Sequence, residues 1–222
     1  MKPLLVFDYD GTIHDTIRIY EDAFRACHHW LMAHGYAQEE SIATERIRSW
    51  LGMNVHDMWN SFLPHLPEEV KSEAAKKIGD RMLSSILNHQ AKWYDGAKEV
   101  LDIFKQQGYP MILLSNCRIF YRQANWEIFS MEQWFQAFYD CESYGFRPKT
   151  EIIHEILPHD TRSCIVIGDR KADLDCARSC GSPFIGCLYG YSSPGELDDA
   201  DALAVSIRDL PQSVAQITAT FF

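Results

Sequence analysis

The sequence is poor in positive charge: 21 lysines and arginines stand against 31 aspartates and glutamates, a formal net charge of -10 over 222 residues. That deficit argues against nucleic acid or an anionic membrane surface as the main partner. It would also repel a phosphate at long range. A site for a phosphorylated ligand must therefore supply local positive charge from a metal, a lysine or arginine, or backbone amides at a helix start. Apolar runs long enough to span a bilayer are missing. The seven cysteines are odd in number, contain no Cys-x-x-Cys pair and follow no secretory signal at the N-terminus, which predicts free thiols in a reducing cytoplasm. Cys176 and Cys180 lie four apart, but no His or further Cys joins them at zinc spacing, so both read as packed apolar residues. Internal repeats, low-complexity stretches and long linkers are also absent.

What is present is enough apolar material, 46% of the residues, for one sizeable core or for a core domain with a smaller insertion. Leu4-Leu5-Val6-Phe7 is a short continuous apolar run ending abruptly in Asp8-Tyr9-Asp10-Gly11-Thr12, the pattern of a buried parallel strand followed by a polar loop. The pattern returns where Met111 to Leu114 meets Ser115-Asn116, and where Cys164 to Ile167 meets Gly168-Asp169. Each run is followed by helical spacing, so the chain reads as strand-helix units around a parallel sheet, with the three polar loops converging beyond the carboxyl ends of the strands. Weaker strand signals span Ala137 to Cys141, Phe184 to Leu188 and Ala202 to Val205. Helices are expected over Ala97 to Gln107, Phe120 to Phe129, Thr150 to Leu157, Asp173 to Cys180 and Pro211 to Thr218.

Between about Thr16 and Lys92 the strand-like runs disappear. Tyr20, Phe24, Cys27 and Leu31 follow helical spacing, and Val70, Ala74, Ile78 and Met82 form a second stripe. A helical subdomain, residues 16–92, is thus expected as an insertion into a core made of residues 1–15 and 93–222, with Asp95-Gly96 a natural turn near re-entry.

Asp8 and Asp10 alternate at a strand end, so an extended backbone sends both carboxylates to the same side. A divalent cation there would keep Asp8 ionised and able to attack phosphorus, while Asp10 could protonate the leaving oxygen and then activate water. Gly11 allows close backbone approach, and Thr12 adds a hydroxyl. Alone, the motif is also ordinary Asx-turn chemistry. Asp169 and Asp173 offer a second pair of carboxylates, oxygen ligands that suit Mg²⁺. A loop acid and a plain helix cap are the alternative. Ser115 and Asn116 carry groups that can hold phosphoryl oxygens. Arg147 or Lys149 could neutralise the attacked phosphoryl group, or could be solvated loop charges.

Asp8-Tyr9-Asp10-Gly11-Thr12, Ser115-Asn116, Arg147-Pro148-Lys149 and Gly168-Asp169-x-x-x-Asp173 occur in the order and approximate spacing of the four motifs of the haloacid dehalogenase superfamily, and the similarity covers nearly the whole chain. The helical insert after the first motif resembles the branch that includes phosphoglycolate phosphatase and beta-phosphoglucomutase. The resemblance implies an α/β fold, a Rossmann-like parallel sheet core with helices on both faces and an inserted α-helical cap. It also implies Mg²⁺ as cofactor, a small phosphorylated metabolite as substrate, Asp8 as nucleophile and Asp10 as acid and base. Thr12, Ser115 and Asn116 would then contact substrate, and Asp8, Asp169, Asp173 and the Asp10 carbonyl the metal. The family usually shows Lys-Pro at the third motif. Alignment on Pro148 selects Arg147 as the catalytic cation, residue type selects Lys149, and Lys149 is favoured for its compact ammonium. His14 occupies a position commonly apolar in the family and is read as a surface or cap-packing residue ahead of a substrate contact. A phosphatase working through a phosphoaspartyl intermediate is the leading expectation. A phosphomutase or dehalogenase of the same fold, and a non-catalytic metal- and phosphate-binding regulatory module, are the alternatives; Asp10 and the full acidic set speak against a dehalogenase.

Overall fold

The structure, a computed structural model, describes residues 2–157 and 163–222. Six parallel strands, β1 (Leu4–Phe7), β2 (Met111–Ser115), β3 (Phe138–Asp140), β4 (Cys164–Gly168), β5 (Phe184–Cys187) and β6 (Ala202–Ala204), form one sheet in the order β3-β2-β1-β4-β5-β6. The first strand is therefore central, paired with β2 through Leu5 and Met111 and with β4 through Leu4 and Cys164. This is the reason for its unbroken hydrophobic run: both faces are covered. Leu5, Phe7, Leu113, Ile165 and Ile167 pack on one side beneath α5 (Ala97–Gln106), α6 (Ile119–Phe129) and α9 (Leu210–Phe221). Val6, Ile112, Leu114 and Val166 pack on the other beneath α7 (Lys149–Ile156) and α8 (Lys171–Ser179). Cys176 belongs to that second layer and Cys180 packs against it. The order reverses at β1, so the crevice beyond its carboxyl end is where such a sheet binds ligands.

Between β1 and α5 the chain builds a helical cap from α1 (Ile17–Ala33), α2 (Thr44–Arg48), α3 (Val55–Phe62) and α4 (Glu68–Leu87). The first stripe, Tyr20, Phe24, Cys27 and Leu31, is buried in the cap's own core together with Ala74, Ile78, Trp50 and Trp59. Outgoing and returning segments run side by side, His14 bridging to Trp93 and the Tyr94 amide donating to the Ile13 carbonyl at 2.9 Å. The two short helices α2 and α3 carry no stripe of their own in the sequence reading. They form because Trp50, Trp59 and Phe62 are large enough to close the end of the α1 and α4 pair.

Candidate active site

The loop after β1 is drawn tight by its own backbone. The Tyr9 carbonyl accepts from the amides of Ile13 and His14, both at 2.9 Å, and the Gly11 amide donates to the His14 carbonyl at 2.9 Å. Gly11 is required on two counts: its φ is +85°, and a Cβ there would run into the Asp169 carboxylate. Gly168 and Gly190 are bare for the same reason, since a Cβ at either would collide with the carboxylate of Asp173 or Asp169. Three glycines thus form a cradle around two acids.

Inside the cradle Asp8, Asp169 and Asp173, all buried, bring one oxygen each to within 4.8 Å of one another. Asp8 stands at the end of β1 and Asp169 directly follows β4. Asp173 lies in the first turn of α8, its Oδ2 accepting from the Arg170 amide at 3.1 Å. Helix α8 begins at Lys171, earlier than expected, so Asp173 is not the cap residue and Asp169 stands in the loop outside the helix. Lys149, a residue only 5% exposed, donates from Nζ to Asp8 Oδ1 at 2.5 Å and to Asp173 Oδ1 at 2.6 Å. Burial pushes the Asp8 carboxyl up to about 7, aided by Asp173 and Asp10 and opposed by Lys149. Asp169 is likewise pushed far above the ordinary carboxylate range by burial and then by Asp8 and Asp173. Burial works to lower the Lys149 ammonium, yet Asp173 and Asp8 together hold it above its ordinary value.

Asp10 faces a different environment. Its Oδ1 accepts from Thr16 Oγ1 at 2.5 Å and from Tyr121 Oη at 2.6 Å, and its Oδ2 from Ser115 Oγ at 3.5 Å. Although burial works to raise it, His14 and the hydroxyls of Thr16 and Tyr121 hold Asp10 below its ordinary value. Its carboxylate is not one of the three clustered acids.

Two expectations are corrected here. Arg147 is outside the site: its side chain is partly exposed and its Nη1 donates to Glu155 at 2.6 Å. Pro148 immediately precedes α7, so it is Lys149, the first helical residue, that points back under β1. His14 is neither a surface residue nor part of the cap core. It is fully buried and stacked on Tyr9, with Nδ1 2.9 Å from Thr16 Oγ1 and 2.8 Å from Tyr121 Oη, directly behind Asp10. Thr12 is also fully buried, and its hydroxyl meets no partner among the described residues. Asn116 does reach the crevice, donating from Nδ2 to the Gly52 carbonyl of the cap at 3.0 Å.

Residues that the sequence reading passed over complete the frame. The Tyr191 amide donates to Asp169 Oδ2 at 2.6 Å while its hydroxyl accepts from the Ile17 amide at the start of α1 at 2.9 Å. Arg170 pairs with Glu196 at 2.8 Å and reaches the cap carbonyls of Ser49 and Leu51. Tyr121 had only a weak signal, its place in the first turn of the helix that follows Ser115-Asn116.

Haloacid dehalogenase-like hydrolases match this chain over residues 5–187. The chain belongs to that family. A phosphoglycolate phosphatase from Mesorhizobium japonicum is 25% identical over 205 residues, covering 86% of this chain and 85% of the relative. A 5'-nucleotidase from Pseudomonas aeruginosa is 31% identical over 114 residues, 49% of this chain and 51% of its own length. Among solved structures, that of a predicted phosphatase from Clostridium acetobutylicum superposes with a TM-score of 0.80 at 22% identity, covering 97% of this chain and 99% of the other. As a member of this family the chain is a hydrolase, and its α/β core with a helical cap is the fold of these neighbours.

Proposed function

We propose that the protein is a Mg²⁺-dependent phosphatase that hydrolyses a small phosphomonoester in the cytoplasm through a phosphoaspartyl intermediate on Asp8. The carrying observation is the convergence of Asp8, Asp169, Asp173 and Lys149 at the carboxyl ends of β1 and β4. The residues fit a hard divalent cation: the donor set is all oxygen, and Asp169 Oδ1 is buried without a hydrogen-bond partner among the described residues. Asp8, Asp169, Asp173 and the Asp10 carbonyl would hold Mg²⁺, which when bound supplies positive charge to the phosphoryl oxygens and keeps Asp8 ionised.

Lys149 holds Asp8 in place and adds the second positive charge, meeting the demand that the acidic composition creates. The Asp8 carboxylate attacks phosphorus, the bond from phosphorus to the substrate's ester oxygen breaks, and Asp10 gives its proton to that oxygen. Asp10 then removes a proton from water, whose oxygen attacks phosphorus, releasing inorganic phosphate and restoring Asp8. The hydroxyls on Asp10 favour its ionised form, the form needed for the water step. Arrival of a phosphate dianion beside it raises its pKa and supplies the protonated form for the first step. Ser115 and Asn116 bind phosphoryl oxygens; Thr12, fully buried and with its carbonyl accepting from Tyr189 Oη at 2.9 Å, is not the substrate contact expected of it. Residues 16–92 act as the cap that excludes water, and residues 1–15 and 93–222 as the catalytic core. The seven unpaired cysteines support the reducing compartment, and no helix among the described residues is long and apolar enough to cross a membrane.

Phosphate release from a phosphomonoester panel tests the reading. It should require Mg²⁺ and fall at least about a thousandfold in Asp8→Asn. Undiminished turnover by that variant refutes the mechanism. Transfer of phosphate between positions of a hexose phosphate, without release, would make the protein a phosphomutase instead.

A further inference from the structure

Between cap and core, opening onto Asp10, Ser115 and Asn116, lies a cavity of about 140 Å³. Its position decides what it receives. The phosphoryl group belongs over Asp8 and Lys149, and Asp10 must meet the ester oxygen, so whatever is attached to that oxygen extends into this space. Resting on the phosphatase reading, we propose that the leaving group is an uncharged, apolar alcohol about one ring in size, and that an anionic leaving group such as glycolate is disfavoured.

Three observations carry this. The wall is apolar, built chiefly from Trp50, Met53, Met58, Ile78, Met82 and Phe120. Methionine and aromatic side chains together make an adaptable, polarisable surface that suits a ring and offers a carboxylate nothing. The volume is close to the roughly 150 Å³ that accommodates a single benzene ring in a dry protein cavity. Finally, the wall offers a second anion no unpaired cation. Arg118, the one cation there among the described residues, donates from Nε and Nη2 to Glu142 Oε1 at 3.1 and 2.9 Å. Thr16 and Tyr121 are committed to Asp10, while Ser115 and Asn116 are taken up by the phosphoryl oxygens themselves. A second anion entering with the phosphate would lose its water without gaining a free counter-charge.

Gly79, in the middle of α4, sets the depth of the cavity. A Cβ there would stand 2.8 Å from Phe120 Cζ, so Gly79→Ala presses on the ring and narrows the space, while improving the helix. The reaction itself is ordinary hydrolysis: the phosphorus–oxygen bond breaks, water supplies the hydroxyl of the phosphate and Asp10 the proton of the alcohol.

The experiment compares kcat/KM for benzyl phosphate, 4-carboxybenzyl phosphate, ethyl phosphate, 2-phosphoglycolate and a nucleoside 5'-monophosphate, with Mg²⁺. All leave as aliphatic alcohols, so intrinsic reactivity biases the ranking little. Benzyl phosphate should exceed 2-phosphoglycolate and 4-carboxybenzyl phosphate by at least about tenfold, the scale of burying one apolar group against none. Gly79→Ala should lower the ratio of benzyl to ethyl phosphate. Met53→Lys, which places an ammonium on the half-buried wall, should raise both carboxylated substrates relative to benzyl phosphate. Release led by 2-phosphoglycolate, 4-carboxybenzyl phosphate or the nucleotide overturns the substrate class and leaves the phosphatase reading standing. No Mg²⁺-dependent release from any member overturns both.

Discussion

The two halves of the site, only two residues apart along the chain, are opposites in hydrogen bonding. On the Asp8 side, one ammonium serves two of three buried carboxylates, Asp8 and Asp173, and one oxygen of the third, Asp169, has no partner at all among the described residues. On the Asp10 side, hydroxyls of Thr16, Ser115 and Tyr121 surround one carboxylate, with His14 behind two of them. Burial acts on both, yet Asp8 is pushed up to about 7 and Asp10 is held below its ordinary value. The donors around Asp10 and the neighbouring acids around Asp8 separate them. A cluster short of positive charge is built to take a cation, whereas a carboxylate with its donors in place is built to stay where it is and handle protons.

After loss of the nucleophile itself, the largest expected effect comes from removing the single cation of the deficient half. Lys149→Ala should cut kcat/KM by about a hundredfold or more, since a preorganised charge on the reacting group is lost. In the metal-free protein the sharpest sign of the same deficiency is its pH dependence. Asp8 keeps its proton in the folded state up to about 7, whereas the unfolded chain releases it near about 4. The folded state therefore binds more protons across that window, and stability in chelator should fall as pH rises from about 4 to about 7. Stabilisation by Mg²⁺, read as a Tm shift, should grow over the same interval. A flat chelator profile would show that the cluster is not under electrostatic stress.

On the well-supplied half, Tyr121→Phe and His14→Asn should each lower kcat by roughly 5- to 100-fold, the range for removing a hydrogen bond to a buried charge or its support. The pH profile of kcat should change with it, and Mg²⁺ affinity should be little altered. A change confined to Mg²⁺ affinity would place these residues on the wrong side of the comparison. The smallest effect is reserved for Arg147→Ala, which breaks a solvent-screened pair with Glu155 and should leave Tm and activity close to those of the wild type.

The sheet was readable because its main strands are local runs of apolar residues closed by a polar loop; the strand order was not, since β1, β2 and β4 share the same unbroken apolar pattern. The clustered acids were readable for the same reason, since each follows a strand end directly or sits in the first turn beyond it. Arg147 and Lys149 could not be separated from spacing alone; the choice depends on how Pro148 turns the chain into α7. The burial of His14 is not legible in the chain because, beside its near neighbours Tyr9 and Thr16, it needs Tyr121, 107 residues away, and only the folded chain lays α6 against the first loop. Tyr191 and Arg170 escaped notice likewise, their contacts with Ile17 and Leu51 being 174 and 119 residues distant.

Arg170 is the residue next to Asp169, and its guanidinium rests on the Ser49 and Leu51 carbonyls beside Gly52, where a Cβ would stand 2.9 Å from Arg170 Cγ. Asn116 donates to the neighbouring Gly52 carbonyl from the opposite wall. The roof is thus latched to the floor by the very loops that carry the chemistry. On the phosphatase reading, product release would break these contacts and substrate binding would restore them, which would tie the pace of turnover to the seating of the acid loop.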